Sequence, residues 1–195
     1  MNQTLTRKQF DILSLLAEEK STQSQRQLGE KTGHSLGTVN RVMQELTELQ
    51  YVADGKITSA GISALEPYRA KRAIFIAAGF GSRLVPITFN TPKPLVRVHG
   101  QRIIDGLIDA CLEAGINEIY IVRGYLAEQF DQLLYKYPMI RFLENPVYNE
   151  ANNISSAMVA RYMLSNAYVF EADLLISNPK IITKYHYTSD FLAIK

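Results

Sequence analysis

The stretch IFIAAGFGSRLVPITFNTPKPLVRV, Ile74 to Val98, decides how the chain is to be read. It overlaps a continuous apolar run, Ala73 to Ala77, of the kind that forms a strand buried on both faces. The chain then turns through Ala78, Gly79, Phe80 and Gly81 before reaching Ser82 and Arg83. Gly79 and Gly81 lack Cβ, so their backbone can take positive φ and approach a ligand closely, presenting amide N–H groups to phosphate oxygens. A loop at the carboxyl end of a first strand is where open α/β sheets bind ligands. Beyond Arg83, Lys93 sits between Pro92 and Pro94. A planar guanidinium holds two phosphate oxygens at once, and a lysine flanked by prolines is a point charge on a stiff backbone. Together they read as a polyphosphate clamp. The spacing is neither the GxGxxG of dinucleotide folds nor the GxxxxGK of P-loops.

Downstream, the periodicity alternates. Ile103 to Ala114 is helical, Glu118 to Val122 strand-like, Leu126 to Lys136 helical, Ile140 to Leu143 strand-like, Ile154 to Leu164 helical and Ala167 to Phe170 strand-like. This alternation predicts a mostly parallel sheet covered on both faces, a three-layer Rossmann-like α/β fold. Upstream, from Leu5 to about Leu65, apolar residues recur at helical spacing and predict three short helices. Thr6 is the expected cap of the first, Gly33 the end of the second and Ser35 the cap of the third. Tyr51, Val52, the turn Asp54-Gly55 and Ile57 predict a very short hairpin, followed by a last helical turn from Ser59 to Leu65. Glu66 to Lys71, with Pro67 disfavouring helix before it, marks a boundary. The expected organisation is a small helical domain over 1–66 and an α/β domain over 72–195.

The 195 residues suit two small units. Hydrophobic residues make up 47% and charged residues 21%, which is enough apolar material for packed cores. Up to residue 70 there are eight basic and eight acidic side chains, and beyond it thirteen and eleven, so neither part has the charge of a protein whose main work is coating nucleic acid. The single Cys111 cannot form an intrachain disulfide and the amino terminus has no apolar signal core, so a reducing cytoplasm is expected. The apolar run around Ala73 to Phe80 is far too short to cross a bilayer. His34, His99 and His186 show no metal-ligand spacing with each other or with Cys111, and no zinc site is expected.

AAGFGSR followed by TPKP resembles the signature of the nucleotidyltransferases that make sugar nucleotides and related compounds, AAGxGxR with TPKP or TPKA. The likeness runs from Ala73 to about Ile182. VRGYLAEQF (122–130), ENPVYNEANNISSAM (144–158) and YVFEADLLI (168–176) draw it towards bacterial CTP:phosphocholine cytidylyltransferases, with a sugar-1-phosphate enzyme as the alternative. The resemblance implies transfer of a nucleoside monophosphate from a nucleoside triphosphate, CTP in this reading, to a phosphomonoester such as phosphocholine or a sugar phosphate. Ala77, Ala78, Gly79, Phe80, Gly81 and Ser82 would hold the nucleotide, with Arg83 and Lys93 as the catalytic cations. Asp173 matches the family's metal-binding aspartate for Mg2+, although its place after a strand also suits a helix N-cap. Gly124 and Tyr125 fall in the region that lies near the nucleobase, and Asn152 and Asn153 match a substrate-binding polar pair near the active site of the cytidylyltransferases or, equally, cap a helix. For a quaternary ammonium, Phe142, Tyr148, Tyr162 and Tyr187 are all available as cage aromatics. Members of the family continue well past the strand bearing Asp173, with a second metal-binding aspartate, so the chain as written is expected to be catalytically weak or inactive.

The amino-terminal pattern is similar to winged helix-turn-helix domains of the MarR-like kind, including ITSAGISALEPY (57–68). That resemblance implies that the third helix enters a DNA major groove, with Ser35, Thr38, Asn40 and Arg41 facing it. The alternative is a trihelical module used for homodimerisation or for contact with the next domain. A winged-helix regulator with a degenerate, nucleotide-sensing transferase domain is the rival reading of the whole chain.

Overall fold

Local signals account for each amino-terminal element. The computed structural model describes residues 4–18, 23–151 and 153–191, grouped as Met1–Arg69 with Tyr185–Lys195, and Ala70–Lys184. In the first unit α1 (Arg7–Glu18), α2 (Gln25–Thr32) and α3 (Leu36–Glu48) lie where the helical periodicity places them. The Thr6 hydroxyl accepts from the Gln9 amide while the Gln9 side chain accepts from the Thr6 amide, closing a capping box. A second box, Ser24 with Gln27, starts α2, and Gly33 ends it in the left-handed region at φ 73°. Ser35 caps α3 through the Thr38 amide. Strands β1 (Val52–Ala53) and β2 (Lys56–Ile57) form the antiparallel wing across Asp54 and Gly55, both at positive φ, and α4 (Ser59–Leu65) follows with Thr58 as its cap.

Ile12, Leu13, Leu28, Val39 and Leu46 form the centre of this unit's core. Tyr185, assigned by sequence to the end of the α/β domain, is instead buried in that core. Tyr187 stacks on Tyr68 at 5.6 Å, lies 5.4 Å from Phe10 and donates its hydroxyl to the Leu5 carbonyl at 3.1 Å. Stacked rings with a satisfied phenol reward the return of the chain.

In the second unit β3 (Arg72–Ile76), β6 (Glu118–Arg123), β7 (Arg141–Glu144) and β8 (Ala167–Glu171) build a parallel sheet in the order β7-β6-β3-β8. In the chain between β3 and β6, β4 (Arg97–Val98) and β5 (Gln101–Arg102) form a small antiparallel ladder. Helix α5 (Ile103–Glu113) begins directly after β5. Side chains alternate across β3 as the pleat demands. Ala73, Phe75 and Ala77 join Ile104, Leu107, Ile108, Phe130 and Leu133 in the larger core. Ile74 and Ile76 turn to the other face, against Ala160 and Val159 of α6 (Asn153–Ala160). The three layers expected from the alternation are present. The segment read as a helix over 126–136 is a 3-10 stretch, Ala127–Tyr135, entered through Leu126 at φ 49°. The helix read over 154–164 is α6, and Arg161–Met163 continue it as a 3-10 turn.

Burial pushes the Cys111 thiol up to about 12, so the native protein should give no reaction with a thiol reagent at pH 8 and one equivalent after denaturation, measured by colorimetric titration. Because this pKa is raised on folding, the associated stability is present below about pH 9 and is lost as pH rises towards 12.

Candidate active site

The carboxyl ends of β3 and β8 open into a cleft of about 250 Å³ lined by Ile76, Ala77, Gly79, Gly81, Ser82, Arg83, Lys93, Pro94, Glu171 and Asp173. Parallel pairing of β3 with β8, Ile76 opposite Glu171, sets these strand ends side by side. The loop after β3 and the residues after β8 therefore converge without any long excursion of the chain.

Gly81 is the glycine whose backbone requires the residue type. It sits at φ 61°, and a Cβ there would meet Thr88 Cγ2 at 3.0 Å and Lys93 Cβ at 3.1 Å. Gly79 does not use the positive φ open to it, and a Cβ at that position would meet nothing within 4 Å. Arg83 is exposed in the short 3-10 turn Ser82–Leu84 and makes no hydrogen bond or ion pair among the described residues. Lys93 follows Pro92 in a second 3-10 turn, and its ammonium is paired with the Asp173 carboxylate. Both partners are partly solvated, with 34% and 26% of their side-chain surfaces exposed.

Of the sequence-derived nucleotide residues, Ala77, Gly79, Gly81 and Ser82 line the cleft, together with Arg83, Lys93 and Asp173. Ala78 is buried, and its carbonyl accepts from the Tyr125 amide at 3.1 Å. Phe80 turns aside to pack on Tyr125 and Tyr148, with ring centroids at 4.9 and 5.4 Å. Tyr125 donates its hydroxyl to the carbonyls of Thr88 and Phe89, a framework role. Gly124 lies under the ring of Tyr148. A Cβ at Gly124 would sit 2.6 Å from Tyr148 Cγ, so Gly124→Ala should displace that ring and lower stability by about 1–3 kcal/mol, measurable by denaturant titration.

Asn152 lies outside the described residues, and Asn153 supplies the first residue of α6. Among the aromatic candidates, Phe142 lies beneath the Arg123 guanidinium at 4.0 Å, Tyr162 is exposed beside Arg161, and Tyr187 belongs to the first unit. Only Tyr148 of these four joins the Phe80–Tyr125 cluster. Sequence reasoning missed Glu171, Ile76 and Pro94 as cleft residues, and Thr88 behind the loop. Glu171 was findable, since it stands two residues before Asp173 at a strand end.

Among the described residues no group of three or more His, Cys, Asp or Glu gathers to hold a metal by itself. Asp173 and Glu171 nonetheless suit a hard divalent ion that takes one or two protein carboxylates and completes its shell with phosphate oxygens and water. Lys93 already places a cation on Asp173.

In the first unit, Ser35 and Thr38 use their side chains in the cap, the Ser35 hydroxyl lying 3.1 Å from that of Thr38. Asn40 and Arg41 are exposed on α3, and the Arg41 guanidinium lies 3.6 Å from Glu45.

The parallel sheet, the glycine turn and the two cations at its mouth define an α/β protein with a cleft at the carboxyl ends of its strands. Residues 72–191 match the model of the Nucleotidyl transferase family, and the chain belongs to that family. Residues 5–53 match a model described as winged helix-turn-helix DNA-binding. Similar proteins include the 2-aminoethylphosphonate cytidylyltransferase of Lancefieldella rimae, 46% identical over 111 residues, covering 56% of this chain and 45% of that one. The choline-phosphate cytidylyltransferase of Streptococcus pneumoniae is 46% identical over 102 residues, 52% of this chain and 44% of its own length. The chain thus spans less than half of either relative. A solved structure of the CTP:phosphocholine cytidylyltransferase from Streptococcus pneumoniae superposes with a TM-score of 0.53 at 44% identity, covering 55% of this chain and 47% of that chain. No helix among the described residues is long and apolar enough to cross a membrane.

Proposed function

We propose that the α/β unit is the nucleotide-binding part of a cytidylyltransferase whose acceptor is a short zwitterion, a phosphate or phosphonate joined to a cationic nitrogen. The observation that carries this reading is the sharing of one cleft by the glycine loop, Arg83, Lys93 and Asp173. The names of the relatives support the acceptor class, since choline phosphate and 2-aminoethylphosphonate both join a cationic nitrogen to a phosphoryl group.

In this reaction an acceptor oxygen attacks the α-phosphorus of CTP, a new P–O bond forms, and the bond to the β-phosphate oxygen breaks to release pyrophosphate. No covalent enzyme intermediate is needed, so catalysis is positioning and charge control. Backbone amides of the glycine loop and the guanidinium of Arg83 bind phosphate oxygens and hold the triphosphate against the strand ends. Lys93 leaves Asp173 to offset the charge that develops on the transferring phosphoryl group. A divalent ion, Mg2+ in the simplest case, would be held by Asp173 with Glu171 beside it and would supply further neutralisation of phosphate charge. Phe80, Tyr125 and Tyr148 pack against one another beside the loop.

A thermal-shift panel of CTP, UTP, dTTP, ATP and GTP with Mg2+, each with and without phosphocholine or 2-aminoethylphosphonate, tests the proposal. CTP should raise the melting temperature most, because a ligand that binds only the folded state stabilises it by mass action. Equal shifts for all five nucleotides, or none, would defeat the assignment of base.

A DNA-binding role for the first unit is favoured by the exposed edge of α3, where Leu36, Gly37, Asn40, Arg41 and Gln44 lie on the surface. On this reading Arg41→Ala weakens binding to DNA fragments and reduces the slope of log affinity against log salt by about 1 if Arg41 meets a phosphate. Fluorescence anisotropy over a salt series gives both quantities, and an unchanged slope would remove Arg41 from the interface.

A further inference from the structure

We infer that Thr88, which no sequence motif singled out, is the positioning residue that sets the phosphate-facing loop; this rests on the reading of the cleft as a nucleotide site. Thr88 lies in the turn Ile87–Phe89 and is 1% exposed, a burial uncommon for its residue type. Its hydroxyl donates to the Gly81 carbonyl at 3.0 Å. The same carbonyl accepts the Leu84 amide at 3.0 Å, so both of its lone pairs are engaged. Thr88's own carbonyl accepts the Tyr125 hydroxyl at 3.0 Å, which anchors the turn to the residues following β6.

The consequence follows from peptide geometry. In a trans peptide the C=O and N–H point in opposite directions. Drawing the Gly81 carbonyl inward to Thr88 therefore turns the Ser82 N–H away from the interior. That N–H has no hydrogen-bond partner among the described residues, and Gly81 and Ser82 both line the cleft. The Thr88 methyl also closes the space beside Gly81, where a Cβ would meet Thr88 Cγ2 at 3.0 Å. Thr88 thus determines the direction of a donor that it never touches, and it acts through Gly81 rather than on the substrate.

Thr88→Ala and Thr88→Ser remove the same methyl, and only the serine keeps the hydroxyl; Thr88→Val keeps the shape and loses the hydroxyl. Two readouts are taken on the 195-residue chain: amide hydrogen exchange at Leu84, and the affinity for CTP with Mg2+ by calorimetry. Thr88→Val and Thr88→Ala should speed Leu84 exchange and weaken CTP roughly three- to tenfold, whereas Thr88→Ser should stay within about twofold of wild type on both. Leu84 exchange that is the same in the serine and alanine variants overturns the positioning role, whatever the nucleotide does. Faster exchange in Thr88→Ala combined with unchanged CTP affinity also overturns it. If the wild-type chain binds no CTP while Leu84 still responds to loss of the hydroxyl, the positioning of the loop is supported and the reading of the cleft as a nucleotide site fails.

Discussion

Lys93→Ala should weaken binding of CTP with Mg2+ by roughly 10- to 100-fold, the loss expected when a hydrogen bond to a charged group is removed. Lys93 is held by a 3-10 turn in which Pro94 and Leu95 are buried, so its backbone arrives at the cleft already ordered and little entropy is lost on engaging phosphate. Its ammonium pairs with Asp173, and because both groups are partly solvated that ion pair adds at most about 1 kcal/mol to folding. Affinity should therefore fall far more than stability does. Calorimetric titration with CTP, run beside a thermal melt without ligand, separates the two quantities. A CTP affinity within twofold of wild type would remove Lys93 from the phosphate site, and a fall in melting temperature without a change in affinity would make it a structural residue.

The largest effect on stability is expected at Gly61→Ala in the first unit, at about 3 kcal/mol. Gly61 is buried where α4 passes over the wing. A Cβ there would overlap the Tyr51 carbonyl oxygen and come within 2.7 Å of Ile57 Cγ1. A carbonyl that is part of the main chain cannot rotate aside as a side chain does, so α4 must lift from the hairpin. Differential scanning calorimetry should show the transition of this unit lowered by about 10–20 °C. A shift below about 3 °C would mean that the helix and wing are less tightly joined than the distances indicate.

The two glycines expected to face phosphate show where sequence reasoning reached its limit. Gly81 takes the left-handed conformation that its residue type allows, but Gly79 does not, since a GxG pattern permits positive φ at two places and only the surrounding packing selects one. Tyr125 is similar. Its position after β6 was legible, but its phenol is turned to the carbonyls of Thr88 and Phe89, partners more than 30 residues away that no local pattern reveals. The 3-10 character of Ala127–Tyr135 was also hidden, because helical periodicity over nine residues does not separate 3.0 from 3.6 residues per turn.

What the sequence determined by itself is what interactions between near neighbours decide. Caps at Thr6 and Ser35, the left-handed stop at Gly33, the wing turn at Asp54-Gly55, the alternation of strands and helices, and the clustering of Gly81, Arg83 and Lys93 within a dozen residues all follow from contacts a few positions apart. Tertiary structure alone decided the order β7-β6-β3-β8, since buried parallel strands carry nearly interchangeable apolar sequences. It alone seated Lys93 on Asp173 across 80 positions, buried Tyr185 in the core of the first unit, and set Thr88 behind Gly81. Those contacts exist only once the strands have registered and the cores have closed, because until then no local energy favours one distant partner over another.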